Sequence, residues 1–293
     1  MTGKTPEEQI QAASDWWRTD IIKMRPGVIE FRGYPVQDLI GRLTFPDMMW
    51  LLLRGDVPTE GQGRLLEAAL VASVDHGPHA PSIAIARMAA TCGVDLNTAM
   101  ASASNVLGDS HGGAGQQCME LYAMVREELA GGLEMDAAVD AALDRYNAVY
   151  GKIVAGYGHR FHPVDPRAKP LLALVEAAAA QGVVTGEYVP IAWAVEAGIR
   201  RRTGKSIPMN IDGATAVIFA ELGFAPELGR GLFILSRSVG ILAHAWEQKQ
   251  QGRRNMGPMP KEIPFTYSGP EGRRVDDVRP PLAATPPKQE DAP

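Results

Sequence analysis

Four side chains in this sequence have the types and settings for proton-transfer chemistry: His76, His111, His159 and Asp212. They stand in Asp75-His76-Gly77-Pro78, Ser110-His111-Gly112-Gly113-Ala114, Gly156-Tyr157-Gly158-His159-Arg160 and Asn210-Ile211-Asp212-Gly213. A carboxylate can move a proton on a weak carbon acid only if a hydrogen-bond donor holds the oxyanion that forms at the same moment. Imidazoles and one carboxylate together meet that requirement.

Each residue has its own argument and its own plainer alternative. His111 precedes a long helical pattern, so its ring is expected at or near a helix N-terminus. The dipole there disfavours an imidazolium, which leaves a neutral, hydrogen-bond-donating ring. Gly112 and Gly113 let a ligand approach the backbone. The same string also fits a helix-start turn in which the glycines serve geometry alone. His159 and Arg160 follow a Gly-Tyr-Gly loop, and Arg167 opens the next helix after Pro166. That pattern suits an anion such as a phosphate or carboxylate, or else a solvated basic turn. His159 with His162 and His76 with His79 are spaced three apart, but no third ligand stands at helical spacing, so no metal is expected. Asp212 at a helix start also fits a simple cap.

Arg237 lies in the most apolar helical stretch, Leu232 to His244. A buried guanidinium there needs a partner, either a buried carboxylate or a bound anion, and the bound anion is the reading we favour. His244, further along the same stretch, reads as a structural hydrogen-bonding residue.

The elements that must position these residues are almost all helical. Residues 1–34 form an arm of little periodicity in which Trp16-Trp17 is expected to be buried and Val28 to Phe31 to be a short strand. From Val36 to Gln251 the apolar residues recur at helical spacing. Thr44 caps a helix that has Pro46 in its first turn. Further helices are expected over 83–91, 96–107, 112–129, 135–154, 167–181, 187–203, 211–222 and 226–250, giving roughly ten in all. The domain expectation is an arm (1–34), a large helical domain (35–155 and 226–270), a small helical domain (156–225) and a disordered tail (271–293).

Composition excludes several classes. The chain has 293 residues, 45% apolar and 22% charged, with a net charge of −5. It carries no basic field for nucleic acid and no apolar run long enough for a membrane span. Met1 to Arg18 lacks an apolar stretch behind a basic one, so no secretory signal is expected. Two cysteines, Cys92 and Cys118, make no disulfide framework. A cytoplasmic protein is the expectation.

The motifs, taken in order, resemble those of the citrate synthase superfamily. Gly33-Tyr34-Pro35 through Trp50-Leu51-Leu52-Leu53-Arg54-Gly55-Asp56-Val57-Pro58 is similar to one family phrase. Asp75-His76, His111-Gly-Gly, Gly-His159-Arg160 with Asp165-Pro166-Arg167-Ala168, Asn-x-Asp212 and Arg237-x-x-Gly240 follow in family order. The resemblance implies a mainly α, citrate synthase-like fold with a large and a small helical domain. It implies a homodimer or higher homo-oligomer, and a coenzyme A thioester bound as substrate beside oxaloacetate or a related keto acid, with no permanently bound cofactor. It also implies roles. Asp212 exchanges a proton with the acetyl-CoA methyl carbon, His111 holds the thioester oxygen, and His159 bonds the keto acid's carbonyl. His76, Arg167, Arg237 and Arg160 serve substrate binding.

Within the superfamily, Asp75-His76-Gly77-Pro78, Asn210-Ile211-Asp212-Gly213 and Arg237-Ser238-Val239-Gly240 are closer to citryl-CoA lyase and the lyase module of ATP-citrate lyase. The expected reaction is citryl-CoA to acetyl-CoA plus oxaloacetate. Citrate or 2-methylcitrate synthase and a non-catalytic binding subunit are the alternatives. The family's C-terminal arginine before Tyr-x-Gly has no clear counterpart. Tyr267-Ser268-Gly269 is present, but Arg253 and Arg254 lie too far upstream.

Overall fold

The computed structural model describes residues 4–252, 255–257, 260, 262–275 and 279. They fall into two compact units, Met1–Met256 and Gly257–Pro293. In the second, Tyr267 donates its hydroxyl to the Pro270 carbonyl at 2.9 Å. Arg253, Arg254 and most of the expected tail lie outside the described residues.

The first unit opens with α1 (Pro6–Trp16) and a three-stranded antiparallel sheet of β1 (Ile22–Arg25), β2 (Val28–Phe31) and β3 (Tyr34–Pro35). The register pairs Ile22 with Phe31 and Met24 with Ile29. After a short α2 (Val36–Leu39) come α3 (Phe45–Arg54), α4 (Glu60–Ser73), α5 (Pro81–Thr91) and α6 (Leu96–Ser104). Then follow α7 (Ala114–Ala130), α8 (Met135–Tyr150), α9 (Ala168–Ala180), α10 (Tyr188–Thr203), α11 (Ile211–Glu221) and α12 (Pro226–Gln251). The chain is thus mainly α, with twelve helices among the described residues.

The helix ends follow local chemistry. Thr44 and Asp47 form a reciprocal capping box at α3, with Pro46 in its first turn and Gly55 left-handed beyond its end. Helix α8 stops at Tyr150, earlier than the apolar pattern predicts, because Gly151 takes a positive φ. Helix α7 begins at Ala114, two residues later than predicted, because Gly112 does the same. The arm differs most from expectation. Thr5 and Glu8 cap a helix that has no buried residue. Trp16 and Trp17 stack edge to face at 4.8 Å, and each is 76% exposed, so the pair is not buried within this chain.

Two apolar clusters hold the helices together. The larger is built on α4 and α7 to α11 and includes the fully buried Leu66, Tyr122, Val175 and Ile218. The smaller joins α5, α6 and α12 through Ile83, Ala86, Ala99, Ala103, Ile241 and Ala245. Its small side chains let these helices approach closely. Helix α11 is buried around most of its circumference, from Ile211 through Phe219, as a central helix should be. Helix α12 packs on α4, α5, α6 and α7. His76 follows the end of α4, His111 precedes α7, His159 lies in the loop between α8 and α9, Asp212 opens α11, and Arg237 stands in the middle of α12.

Candidate active site

Helix α4 ends at Ser73, and its last carbonyls collect two arginines. Arg237 Nε donates to the Ser73 carbonyl at 3.2 Å, and Arg167 Nη1 to the Ala72 carbonyl at 3.3 Å. Guanidinium groups at a helix C-terminus satisfy orphan carbonyls and complement the dipole. The turn carrying His76 follows directly. Helix α12 lies hard against it, because a side chain at Gly240 would collide with the Val74 carbonyl and with Asp75.

Arg237 is 5% exposed, and its guanidinium lies 4.8 Å from the Phe233 ring centre. Among the described residues no carboxylate is close enough to pair with it, and its terminal nitrogens make no hydrogen bond. Burial lowers its affinity for its proton, partly offset by the charges of Asp212 and Asp75. The sequence required a partner for this charge, and no carboxylate among the described residues supplies one.

Arg167 is arranged differently. Its Nε and Nη2 bond the two oxygens of Asp165 at 2.9 and 2.8 Å. Asp165 is 2% exposed and also accepts the Ile211 N–H at 2.9 Å. Burial works against its charge, but the Arg167 side chain and N–H and the Ile211 N–H outweigh it and hold its carboxyl at about 2. Asp165 therefore ties Arg167 to the first residue of α11.

At that helix start Asn210 is the cap, accepting the N–H groups of Asp212 and Gly213 at 2.9 and 3.3 Å. Asn210, not Asp212, fills the capping role. The Asp212 carboxylate accepts no hydrogen bond among the described residues. Burial pushes that carboxyl up, against the pull of Arg237 and Arg167.

The His159 loop is bound to the same helix start. Gly158 N–H donates to the Pro208 carbonyl at 2.7 Å, and Asn210 N–H to the Gly156 carbonyl at 2.9 Å. Asn210 Nδ2 bonds the Gly158 carbonyl at 2.6 Å. Gly156 and Gly158 have φ of +84° and +82°, and a side chain at Gly156 would strike Cys118 and Gly213. Only glycine allows this contact. His159 Nδ1 accepts the N–H groups of Phe161 and His162, both at 3.1 Å. The proton of the neutral ring is then on Nε2, which is left to donate. The His76 and His159 rings meet edge to face at 5.3 Å.

His111 has the opposite tautomer. Its Nε2 accepts the Ser82 N–H at 3.2 Å and lies 2.9 Å from the Ser82 hydroxyl. Ser82 is in the first turn of α5, so the ring caps that helix and keeps its proton on Nδ1. Burial, then the charge of Arg237, holds His111 below the usual imidazole range. Desolvation also lowers His76, with Arg237, Arg167 and His159 adding to the effect. His159 is lowered by burial despite the carboxylate of Asp165. All three rings are thus biased towards the neutral form, and His76 and His111 both feel the charge of the buried Arg237.

Arg160 is exposed and makes no hydrogen bond or ion pair among the described residues, so the structure does not bring it to the others. Tyr157 also lines a largely apolar cavity of about 350 Å³ with Asn147, Lys152, Ile153, Ile199 and Arg202. Sequence reasoning gave no role to Ser82 or Asp165. The Asp-Pro-Arg string was a usable signal for Asp165, whereas Ser82 meets His111 across 29 residues with no local mark.

The chain belongs to the citrate synthase family: the C-terminal domain of citrate synthase matches residues 61–258. A citrate synthase of Haloferax volcanii is 33% identical over 208 residues, which is 69% of this chain and 51% of that protein. The chain spans about half the length of the curated relatives it matches. The structure of citryl-CoA lyase from Hydrogenobacter thermophilus superposes with a TM-score of 0.77 and 32% identity, covering 89% of this chain and 98% of that one. ATP citrate lyase from Methanothrix soehngenii, in complex with citrate and coenzyme A, gives a TM-score of 0.70 at 19% identity. It covers 95% of this chain and 46% of that one, and shows the fold alone.

Proposed function

We propose that the protein cleaves citryl-CoA to acetyl-CoA and oxaloacetate. The observation that carries this reading is the buried Arg237, whose charge acts both on the raised carboxyl of Asp212 and on the ring of His111, with the donor nitrogens of His111 and His159 fixed by their other contacts. A carboxyl raised by burial holds its proton more tightly than a free one and can pass it to carbon, and neutral N–H donors stabilise oxyanions without taking up an extra proton. In the cleavage direction the citryl hydroxyl loses its proton to water, because the His159 Nδ1 is occupied and its Nε2 is a donor to the alkoxide. The C–C bond breaks, and its electron pair forms the acetyl-CoA enolate. His111 Nδ1–H holds the enolate oxygen while Asp212 protonates the carbon. Arg237 and His76, with Arg167 held by Asp165 alongside, bind the carboxylates, and Arg160 reaches substrate only by moving. These steps shift protons and one carbon electron pair, chemistry that side chains can carry without a metal or a redox cofactor. The similarity to citryl-CoA lyase over nearly that whole chain supports the reading.

The same proposal includes a coenzyme A thioester as substrate, with the cavity beside Tyr157 available to part of it, and residues 156–225 as a smaller helical domain. It includes a homodimer. Leu235, Val239, Leu242 and Trp246 form an exposed stripe at helical spacing along α12, and a second copy of the same helix would cover it. A cytoplasmic setting fits the two free cysteines. No helix among the described residues is long and apolar enough to cross a membrane.

A second reading is favoured by the sequence relatives, several of which are citrate synthases. The same site would then condense acetyl-CoA with oxaloacetate and hydrolyse the thioester. Supplying citryl-CoA and weighing the products separates the two. Acetyl-CoA plus oxaloacetate establishes cleavage. Citrate plus free coenzyme A establishes the synthase, and an unchanged substrate rules out both.

A further inference from the structure

The turn that carries His76 is held from behind by a line of polar side chains that the proposed reaction does not use. The Asp75 carboxylate accepts the Gly77 N–H at 3.0 Å and also bonds the His76 N–H, closing that turn. The two Asp75 oxygens lie 3.3 and 3.4 Å from Nε2 of His244, on α12. On the other side of the ring, Nδ1 lies 3.1 Å from Nη1 of Arg87, on α5.

The direction of this line is fixed. A guanidinium only donates, so His244 Nδ1 accepts, and the proton of the neutral ring is on Nε2, facing Asp75. Arg87 is itself held by Glu247 at 2.5 Å and by Gln251 Oε1 at 3.1 Å. The His244 side chain is only 19% exposed. The line therefore runs from Glu247 through Arg87, His244 and Asp75 to the backbone of His76. Scattered surface ion pairs have no common end point, whereas every member here orients the next. The line closes on the backbone N–H groups of one candidate catalytic turn.

We propose that His244 is a positioning residue, fixing the His76 turn through Asp75 and so the imidazole that meets the substrate's acid groups. The ring sets the place of Asp75, and Asp75 sets the backbone of His76. A displacement of about 1 Å at a reacting centre can cost on the order of a hundredfold in rate. The kinetic part of this proposal rests on the citryl-CoA reading. The structural part does not.

The test compares His244→Phe, which keeps a ring of similar shape without its hydrogen bonds, with His244→Gln, which can accept from Arg87 and donate to Asp75. Amide hydrogen exchange is measured at His76 and Gly77, coenzyme A binding is measured by calorimetry, and kcat is measured with citryl-CoA. In His244→Phe, exchange at these two amides should quicken and kcat should fall by about tenfold to a hundredfold, with coenzyme A binding unchanged. His244→Gln should restore most of both. Unchanged exchange or a wild-type kcat in His244→Phe overturns the proposal. So does a His244→Gln variant that fails as badly as His244→Phe and loses coenzyme A binding too, which would mark a merely structural residue. A wild-type protein that leaves citryl-CoA intact refutes the reaction reading, and the exchange measurement then decides the positioning claim alone.

Discussion

His111 Nε2 accepts the backbone N–H of Ser82 at 3.2 Å, and this contact selects the nitrogen that remains for substrate. A backbone N–H cannot accept, so the ring proton belongs on Nδ1. Loss of one oxyanion donor in a preorganised site costs about a hundredfold to a thousandfold in kcat, and that is the loss expected for His111→Ala with citryl-CoA. Ser82→Ala keeps the backbone N–H and removes only the hydroxyl at 2.9 Å, so its loss should be much smaller. Nitrogen NMR of the imidazole should place the proton on Nδ1. A proton on Nε2 would refute the assignment.

Much of this arrangement could be read from the sequence. The helical periodicity from Val36 to Gln251 gave the helices because their buried faces repeat at the helical period, and Thr44 with Pro46 marked a real cap. The arm was less legible. Helix α1 buries nothing, so no packing partner in this chain marks it, although Thr5 and Glu8 spell its capping box. Trp16 and Trp17 lie open, because a residue's hydrophobicity does not say which surface will cover it. At the site, Arg237 was legible because a charge in an apolar helix demands an explanation. The division of labour between Asn210 as cap and Asp212 as free carboxyl was not, since both residue types cap helices well.

Asp212→Asn should fold and bind coenzyme A like the wild type, because Asn210 supplies the cap and the Asp212 carboxylate carries no hydrogen bond among the described residues. An amide cannot deliver the proton, so turnover should fall by about a hundredfold to ten-thousandfold. Product formation by mass and coenzyme A binding by calorimetry measure the two arms. A variant with near wild-type turnover would remove Asp212 from the mechanism.

Arg237→Leu separates stability from binding. The guanidinium is buried with one carbonyl and one aromatic ring as neighbours and no carboxylate in pairing distance. A buried charge without a paired carboxylate is costly to keep, so an apolar side chain in its place should not weaken the fold. The variant's Tm without ligand should therefore hold or rise, while the rise expected from oxaloacetate in the wild type should be absent. A falling Tm together with a preserved oxaloacetate response would show that the arginine serves the fold and not the ligand.

The Asp165–Arg167 pair should govern acid stability. Asp165 titrates near 2 in the folded protein, against an ordinary 3.8. Between those values the unfolded chain binds more protons than the folded one, so stability falls as the pH falls. Its contribution is complete above about pH 4 and disappears as the pH drops to about 2, an effect of about 2 kcal/mol. Asp165→Asn removes this slope and leaves Arg167 without its partner. Breaking a buried pair costs about 3–5 kcal/mol, and the lower end applies because the Arg167 side chain is 25% exposed. Urea unfolding at pH 6 and pH 2.5 should show a large gap between wild type and variant at the first pH and a much smaller one at the second. An equal gap at both would mean that the carboxylate of Asp165 is not the charge holding Arg167 and the start of α11 together.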